Sequence, residues 1–267
     1  MTTFSRTLSA LALAATVGLS ACTASDAPNP AQESPTEPES LSVTVLEHTS
    51  MIPDSFTQGL EVDAEGNLLV GTGQYGQSRL MRLRPGETTP SQSVDLDPEF
   101  FGEGITQAGE HIWQLTWKAG EAIQRDAATF EETGRVRYPG EGWGLCNAGS
   151  QLVMSDGSAQ LRHLDPQTFE EIAPRTTVTR QGQPVDNLNE LECVDGAVFA
   201  NVWMSEEILR IDPDSGQVTG VIDAAGLNEN GPRTPDDVLN GIAHIPGTDE
   251  FWITGKRWVD LYRVRFE

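Results

Sequence analysis

From Leu41 onward the apolar residues come in short runs, often alternating with polar ones, and the runs are closed by Gly, Asp-Pro or Asn-Gly. Alternation of period two sets one face of a strand against a core, and those residues form turns. No stretch of useful length keeps its apolar positions at helical spacing. The pattern predicts an all-β chain of many short strands.

One phrase recurs along it: "FTQGLEVDAEGNLLVGTG", "FGEGITQAGEHIWQLTW", "EGWGLCNAGSQLVMSDG", "LNELECVDGAVFANVW" and "LNGIAHIPGTDEFWITGKRW". Each copy places a polar or aromatic residue two positions before an aliphatic one, then turns into a second apolar strand. The aliphatic markers Leu60, Ile105, Leu145, Leu191 and Ile242 are 45, 40, 46 and 51 residues apart. Further strands follow, as in "LRHLDPQTFEE", "ILRIDPDSGQV" and "LYRVRF". Several strands per unit at this period match the blade of a β-propeller. A two-sheet sandwich would not require one phrase five times. The expected fold is a five-bladed β-propeller over residues 41–267, closed by pairing "LYRVRF" with the opening strand "SVTVLE", which hides the sheet edges.

In a propeller the start of each inner strand faces the axis at one end of the channel, so equivalent positions form a ring. Two residues before the markers stand Gln58, Glu103, Trp143, Asn189 and Asn240. At the far end of the next strand stand Trp117, Trp203 and Lys256, and an antiparallel pair returns that end to the same rim. A carboxylate, amides, an ammonium and several indoles are expected around one pocket.

Composition narrows the setting. The opening "MTTFSRTLSALALAATVGLSAC" has one cation, Arg6, then an apolar run and small residues before Cys22. It predicts an export signal over 1–21, too short and wrongly flanked for a membrane span. "LSAC" resembles the bacterial lipobox, which makes Cys22 the lipidated first residue of the exported chain. Residues 22–40, rich in Pro, Ser and acid, read as a disordered tether unable to bury a core. The expected location is outside the cytoplasmic membrane, held to it only by the lipid. With 17 Lys and Arg against 40 Asp and Glu, a phosphate backbone would be repelled, so no nucleic-acid partner is expected. Cys146 and Cys193 are compatible with a disulfide or with two buried thiols. Four scattered histidines and no clustered Cys/His spacing give no zinc site.

The phrases "FTQGL", "GTGQYGQS", "FGEGIT", "QLTWK", "EGWGL", "SDGSAQLRHLDP", "LNELE", "ANVW", "LNGIA" and "TGKRW" occur in order between Leu46 and Tyr262. Through them the chain resembles the plant-type glutaminyl cyclases. These are five-bladed propeller glutaminyl-peptide cyclotransferases, also bacterial, unrelated to the animal zinc enzymes. The resemblance implies conversion of an N-terminal glutamine of a peptide or protein into pyroglutamate, with release of ammonia. It implies a pocket of Phe56, Gln58, Phe101, Glu103, Trp117, Trp143, Asn189, Trp203 and Lys256. No cofactor is implied for catalysis, and a structural metal ion held by some members is not located by any residue here. Cys146 and Cys193 depart from the family pattern, beside the expected pocket.

That chemistry accounts for the residue types. The α-amine of glutamine attacks its own γ-carbonyl, so the substrate supplies much of the proximity. The protein must fold the side chain, take up a proton and protonate the leaving nitrogen, which one carboxylate between the two nitrogens can do. Glu103 is the expected proton shuttle, and Asn189 and Lys256 the groups facing the charged oxygen of the tetrahedral intermediate. Gln58 assists in placing the substrate, and Trp117, Trp143 and Trp203 grip its aliphatic part and attract its ammonium through their π-faces. Phe101 and Trp117 desolvate Glu103, while Lys256 opposes the resulting rise in its pKa. Phe56 is a further substrate-binding residue. The alternative is a noncatalytic extracytoplasmic propeller that binds exported proteins or ligands, which would have no need of Glu103, Asn189 and Lys256 together. A metal-dependent lactonase would need a carboxylate and amide cage at the axis, where this ring has one acid.

Overall fold

A computed structural model describes Met1, Thr3 and residues 37–228 and 234–267. The predicted signal apart from Met1 and Thr3, Cys22 and nearly all of the tether lie outside the described residues. Strand structure begins at Glu39, two residues ahead of the expected boundary.

All named elements are strands. The first phrase opens a four-stranded sheet of Thr57–Val62, Leu68–Thr72, Arg79–Leu83 and Gln92–Asp95, in chain order. A second sheet runs Gly102–Ala108, His111–Thr116, Glu121–Asp126 and Glu132–Arg137. The third comprises Leu145–Asn147, Leu152–Met154, Gln160–Leu164 and Thr176–Thr177. A two-stranded hairpin of Thr179–Arg180 and Gln183–Pro184 follows, and the remaining strands form an eight-stranded sheet of two halves. One half is Leu188–Val194, Ala197–Val202, Glu207–Ile211 and Val218–Asp223. The other is Leu239–His244, Glu250–Gly255, Asp260–Phe266 and the opening strand Glu39–Ser50.

The opening strand joins the two halves. Its start, Glu39 to Ser42, pairs in parallel with Gly220 to Asp223. From Val43 it pairs antiparallel with the terminal strand, with Val43 opposite Phe266 and Val45 opposite Val264. The expected pairing of "SVTVLE" with "LYRVRF" is therefore present, and it covers edges that would otherwise template association.

Period-two patterning fixes where the core lies. Inner strands such as Leu68–Thr72 are buried on both faces, whereas outer strands such as Glu132–Arg137 alternate exposed and half-buried. Apolar clusters fill the spaces between successive sheets: Leu69, Leu80, Ile105 and Ile112 between the first and second, Trp113, Leu115, Leu145 and Leu152 between the second and third. Cys146, Leu161, Leu191 and Leu209 continue the series, as do Phe199, Ile208, Ile242 and Ile253. Ala243, Trp252 and Leu261 then pack on Leu60, Val70 and Met81 of the first sheet. The last sheet thus meets the first, and the arrangement is propeller-like.

Candidate active site

The polar ring positions acquire their direction from bulges. In four innermost strands the pairing register slips at the ring residue: between Thr57 and Gly59, Gly102 and Ile105, Leu188 and Leu191, and Leu239 and Ile242. A bulge takes a residue out of the ladder and re-aims its side chain. Gln58, Glu103, Asn189 and Asn240 occupy those slips. Trp143 stands just ahead of its strand, its N–H donating to the Ser155 carbonyl at 3.1 Å. Gly104 shows why glycine accompanies the ring. A Cβ there would lie 2.7 Å from both Leu145 N and the Trp143 carbonyl oxygen. Its absence lets Gly104 N–H donate to that same oxygen at 2.7 Å, which fastens the Glu103 strand to the third sheet.

The side chains meet in one cavity of about 250 Å³. Its lining contains Phe56, Gln58, Phe101, Glu103, Trp117, Trp143, Asn189, Trp203 and Lys256, the nine residues implied by the resemblance, and also Gln74 and Asp236, but not Asn240, the fifth residue of the expected ring. This volume falls below the roughly 300–1,000 Å³ of pockets for drug-sized ligands and suits one terminal residue. The aromatic wall is continuous on one side: Phe56 meets Phe101 edge-on at 5.9 Å, and Phe101 meets Trp117 at 5.5 Å. On the other side Trp143 and Trp203 make a T-shaped contact at 5.7 Å.

Polar groups are set into this wall with few partners of their own. Glu103 is 4% exposed, and burial pushes its carboxyl well above the usual carboxylate range; Lys256 opposes that rise and Glu141 adds to it. Burial likewise lowers the Lys256 ammonium, against the opposing charges of Glu103 and Asp236. Lys256 Nζ stands 5.1 Å from the centre of the Phe56 ring. Asn189 Oδ1 is buried without a hydrogen-bond partner, an unmet acceptor in a cavity wall. Gln58 Oε1 accepts from Asn240 Nδ2 at 3.1 Å, and the same Nδ2 donates to the Thr57 carbonyl at 3.0 Å. Asn240 therefore lies behind the pocket, where it fixes the Gln58 amide and leaves the Gln58 N–H groups to the cavity.

Three features were not evident in the sequence. Gln74 and Asp236 come from loops outside the recurring phrase, and Gln74 adopts a left-handed φ of 98°, a backbone state that clusters at functional sites. Asp236 gives the rim a second acid where one was expected. Glu141 lies outside the lining, yet its Oε2 accepts from Trp117 Nε1 at 2.7 Å and from Trp143 Nε1 at 3.1 Å. The run "EGWGL" was its signal.

Further carboxylates fill the interior. Glu190 accepts from Leu60 N at 3.2 Å and Ile242 N at 2.9 Å; Glu192 accepts from His244 N at 2.8 Å and Glu61 from Gln107 N at 2.9 Å. Where other phrases have glycine after the ring residue, Glu190 ties its own inner strand to the neighbouring inner strands of Leu60 and Ile242. Burial raises all three acids, Glu61 to about 7. Among the described residues no group of three or more His, Cys, Asp or Glu is arranged to hold a metal ion. Cys146 and Cys193, left open by the sequence, form a disulfide with Cα atoms 5.4 Å apart, linking the inner strand that follows Trp143 to the one that carries Asn189.

The family model for glutamine cyclotransferase matches residues 12–266. The chain belongs to this glutamine cyclotransferase family. It is 36% identical over 222 residues to a glutaminyl-peptide cyclotransferase of Arabidopsis thaliana, covering 80% of this chain and 68% of the relative. The crystal structure of Myxococcus xanthus glutaminyl cyclase superposes with a TM-score of 0.81 at 36% identity, covering 86% of this chain and 99% of the other. Family membership and the composition of the cavity point to the same chemistry.

Proposed function

We propose that the protein is a glutaminyl-peptide cyclotransferase, acting on peptides and proteins with an N-terminal glutamine. The observation that carries this reading is the cavity itself, where Glu103, Asn189 and Lys256 share one aromatic chamber sized for a single terminal residue. The scaffold is read as a five-bladed propeller, with the two halves of the eight-stranded sheet as its fourth and fifth blades; the cyclic order of the apolar clusters supports this.

The glutamine enters with its methylenes against Trp117, Trp143 and Trp203, and its side chain folds back toward its own amine. Gln58, held by Asn240, offers N–H to the γ-carbonyl. The neutral α-amine attacks the γ-carbon, and Lys256 and the Asn189 amide face the oxygen that gains charge. Glu103, ionised, takes the proton released from the attacking nitrogen. It returns that proton to the departing amide nitrogen, the C–N bond breaks, ammonia leaves and the lactam remains. Burial of Glu103 favours the second half of this cycle, because it raises the proton affinity of the carboxyl above that of an ordinary carboxylate, and Lys256 opposes that rise. No step is assigned to a metal ion.

The N-terminal segment extends the reading to exported enzyme lipidated at Cys22 and tethered outside the membrane, with no nucleic-acid partner. Metabolic labelling with a fatty-acid probe tests this part: label lost in Cys22→Ala supports the anchor, and equal label refutes it.

The activity test uses an N-terminal Gln dipeptide, its N-acetylated counterpart and an N-terminal Asn dipeptide. Ammonia release with the matching mass loss, from the first alone and unchanged by a chelator, is the expected result. A protein that binds the Gln dipeptide but leaves it intact would instead be the noncatalytic binder.

A further inference from the structure

We propose that Glu141 is a positioning residue, a carboxylate clasp that joins the two aromatic walls of the cavity and sets the gap into which the substrate glutamine fits. This rests on the cyclotransferase reading of the site. The walls are separate groups of ring contacts: Phe56, Phe101 and Trp117 on one side, Trp143 and Trp203 on the other. Glu141 Oε2 accepts the indole N–H of Trp117 at 2.7 Å and that of Trp143 at 3.1 Å, so one oxygen holds a member of each wall. A buried indole N–H needs a partner, and an ionised acceptor binds it more strongly than a neutral one.

The clasp has a firm base. Gly142 N–H donates to the Trp117 carbonyl at 3.0 Å, and the Trp143 carbonyl accepts from Gly104 next to Glu103. Glu141 is thereby seated at the junction of the second and third sheets. Its other oxygen, Oε1, lies 3.9 Å from Lys118 Nζ, and that ammonium stands 3.9 Å from the centre of a Trp117 ring. Lys118 thus covers the outer face of the same indole that Glu141 holds by its edge. Glu141 itself does not line the cavity, so its effect on substrate is exerted through the tryptophans.

The test compares wild type, Glu141→Ala and Glu141→Gln, with the N-terminal Gln dipeptide as substrate and the indole N–H resonances of Trp117 and Trp143 as a direct readout. Gln keeps one carbonyl oxygen able to accept both N–H groups; Ala keeps none. Loss of two charge-assisted bonds from an unreacting part of the site is expected to raise KM about tenfold in the alanine variant, with kcat on the plateau of its pH profile changed by less than about threefold. The plateau is compared because the Glu141 charge also adds to the rise in Glu103. Both indole resonances should shift, and Gln should restore KM to within about threefold of wild type. If the alanine variant fails to fold, Glu141→Met fills a similar volume with only a weak acceptor and carries the same expectation. A KM unchanged in the folded variant, or a loss confined to kcat, overturns the clasp. So do indole resonances that stay in place. Because those resonances are read without turnover, a wild-type protein inactive on the dipeptide would refute the cyclotransferase reading while the resonances still decide whether Glu141 holds the two walls.

Discussion

Replacing Glu103 with Gln separates chemistry from folding. The substitution keeps shape and volume in a site that is 4% exposed, and it removes the ability to gain and lose a proton. One positioned acid or base contributes about 10²–10⁴ in rate. Glu103 is assigned both the uptake and the return of the proton, so the upper part of that range is expected, near 10⁴, or about 5.5 kcal/mol of barrier at about 1.36 kcal/mol per tenfold. Stability should move differently. Burial holds the Glu103 proton to higher pH than in the unfolded chain. The folded state is therefore favoured at and below the ordinary carboxylate range near 4.5, and that advantage is lost as pH rises toward the folded value. A neutral amide imitates the protonated acid at every pH. The variant should match wild type in Tm at pH 4.5 and should not fall below it at pH 8. The assays are ammonia release under saturating Gln dipeptide and thermal unfolding at the two pH values. Activity within tenfold of wild type would refute the shuttle; so would an activity loss accompanied by a Tm drop large enough to explain it.

Other predictions follow from the same geometry. Lys256→Ala should lower kcat by about 10²–10³. It should also move the acid limb of the pH–rate profile upward, because Lys256 is the charge that opposes the rise in Glu103; an unmoved limb contradicts the coupling. Gly104→Ala drives a Cβ to 2.7 Å from Leu145 N and the Trp143 carbonyl oxygen. Overpacking of about 1–3 kcal/mol should lower Tm by roughly 2–12 °C, and an unchanged Tm would show that the inner strands give way freely. Glu61, raised to about 7 by burial, should make wild type lose stability between about pH 4.5 and 7. In urea unfolding Glu61→Gln should reduce that slope by up to about 1.4 kcal/mol per pH unit, with Glu190 and Glu192 retaining a remainder; an identical slope contradicts the assignment.

The recurring phrase carried most of the site because it has a physical meaning that survives in one dimension. A bulged inner strand needs a residue to be re-aimed, a small neighbour where backbones touch, and an aliphatic residue for the core. Gln58, Glu103 and Asn189 could be placed that way, and Trp117, Trp203 and Lys256 followed from antiparallel pairing. Asn240 occupies the same register but turns toward Gln58, since a bulge fixes which residue leaves the ladder without fixing which neighbour it meets. Gln74 and Asp236 reach the cavity on loops of no fixed period. Glu141 was visible only as part of a matching phrase, because its role depends on two indole edges converging from different sheets. The Cys146–Cys193 bridge depends on the approach of adjacent inner strands, a distance that spacing along the chain does not encode.

Binding of substrate to the inactive protein tests the central geometry most directly. A crystal structure of Glu103→Gln with an N-terminal Gln peptide should show the glutamine folded on itself in the cavity. Its α-nitrogen and γ-nitrogen should both lie within about 3.2 Å of the side chain at position 103, with its γ-oxygen toward Lys256 and Asn189. An extended glutamine outside the aromatic walls, or one whose two nitrogens cannot both reach position 103, would contradict the account.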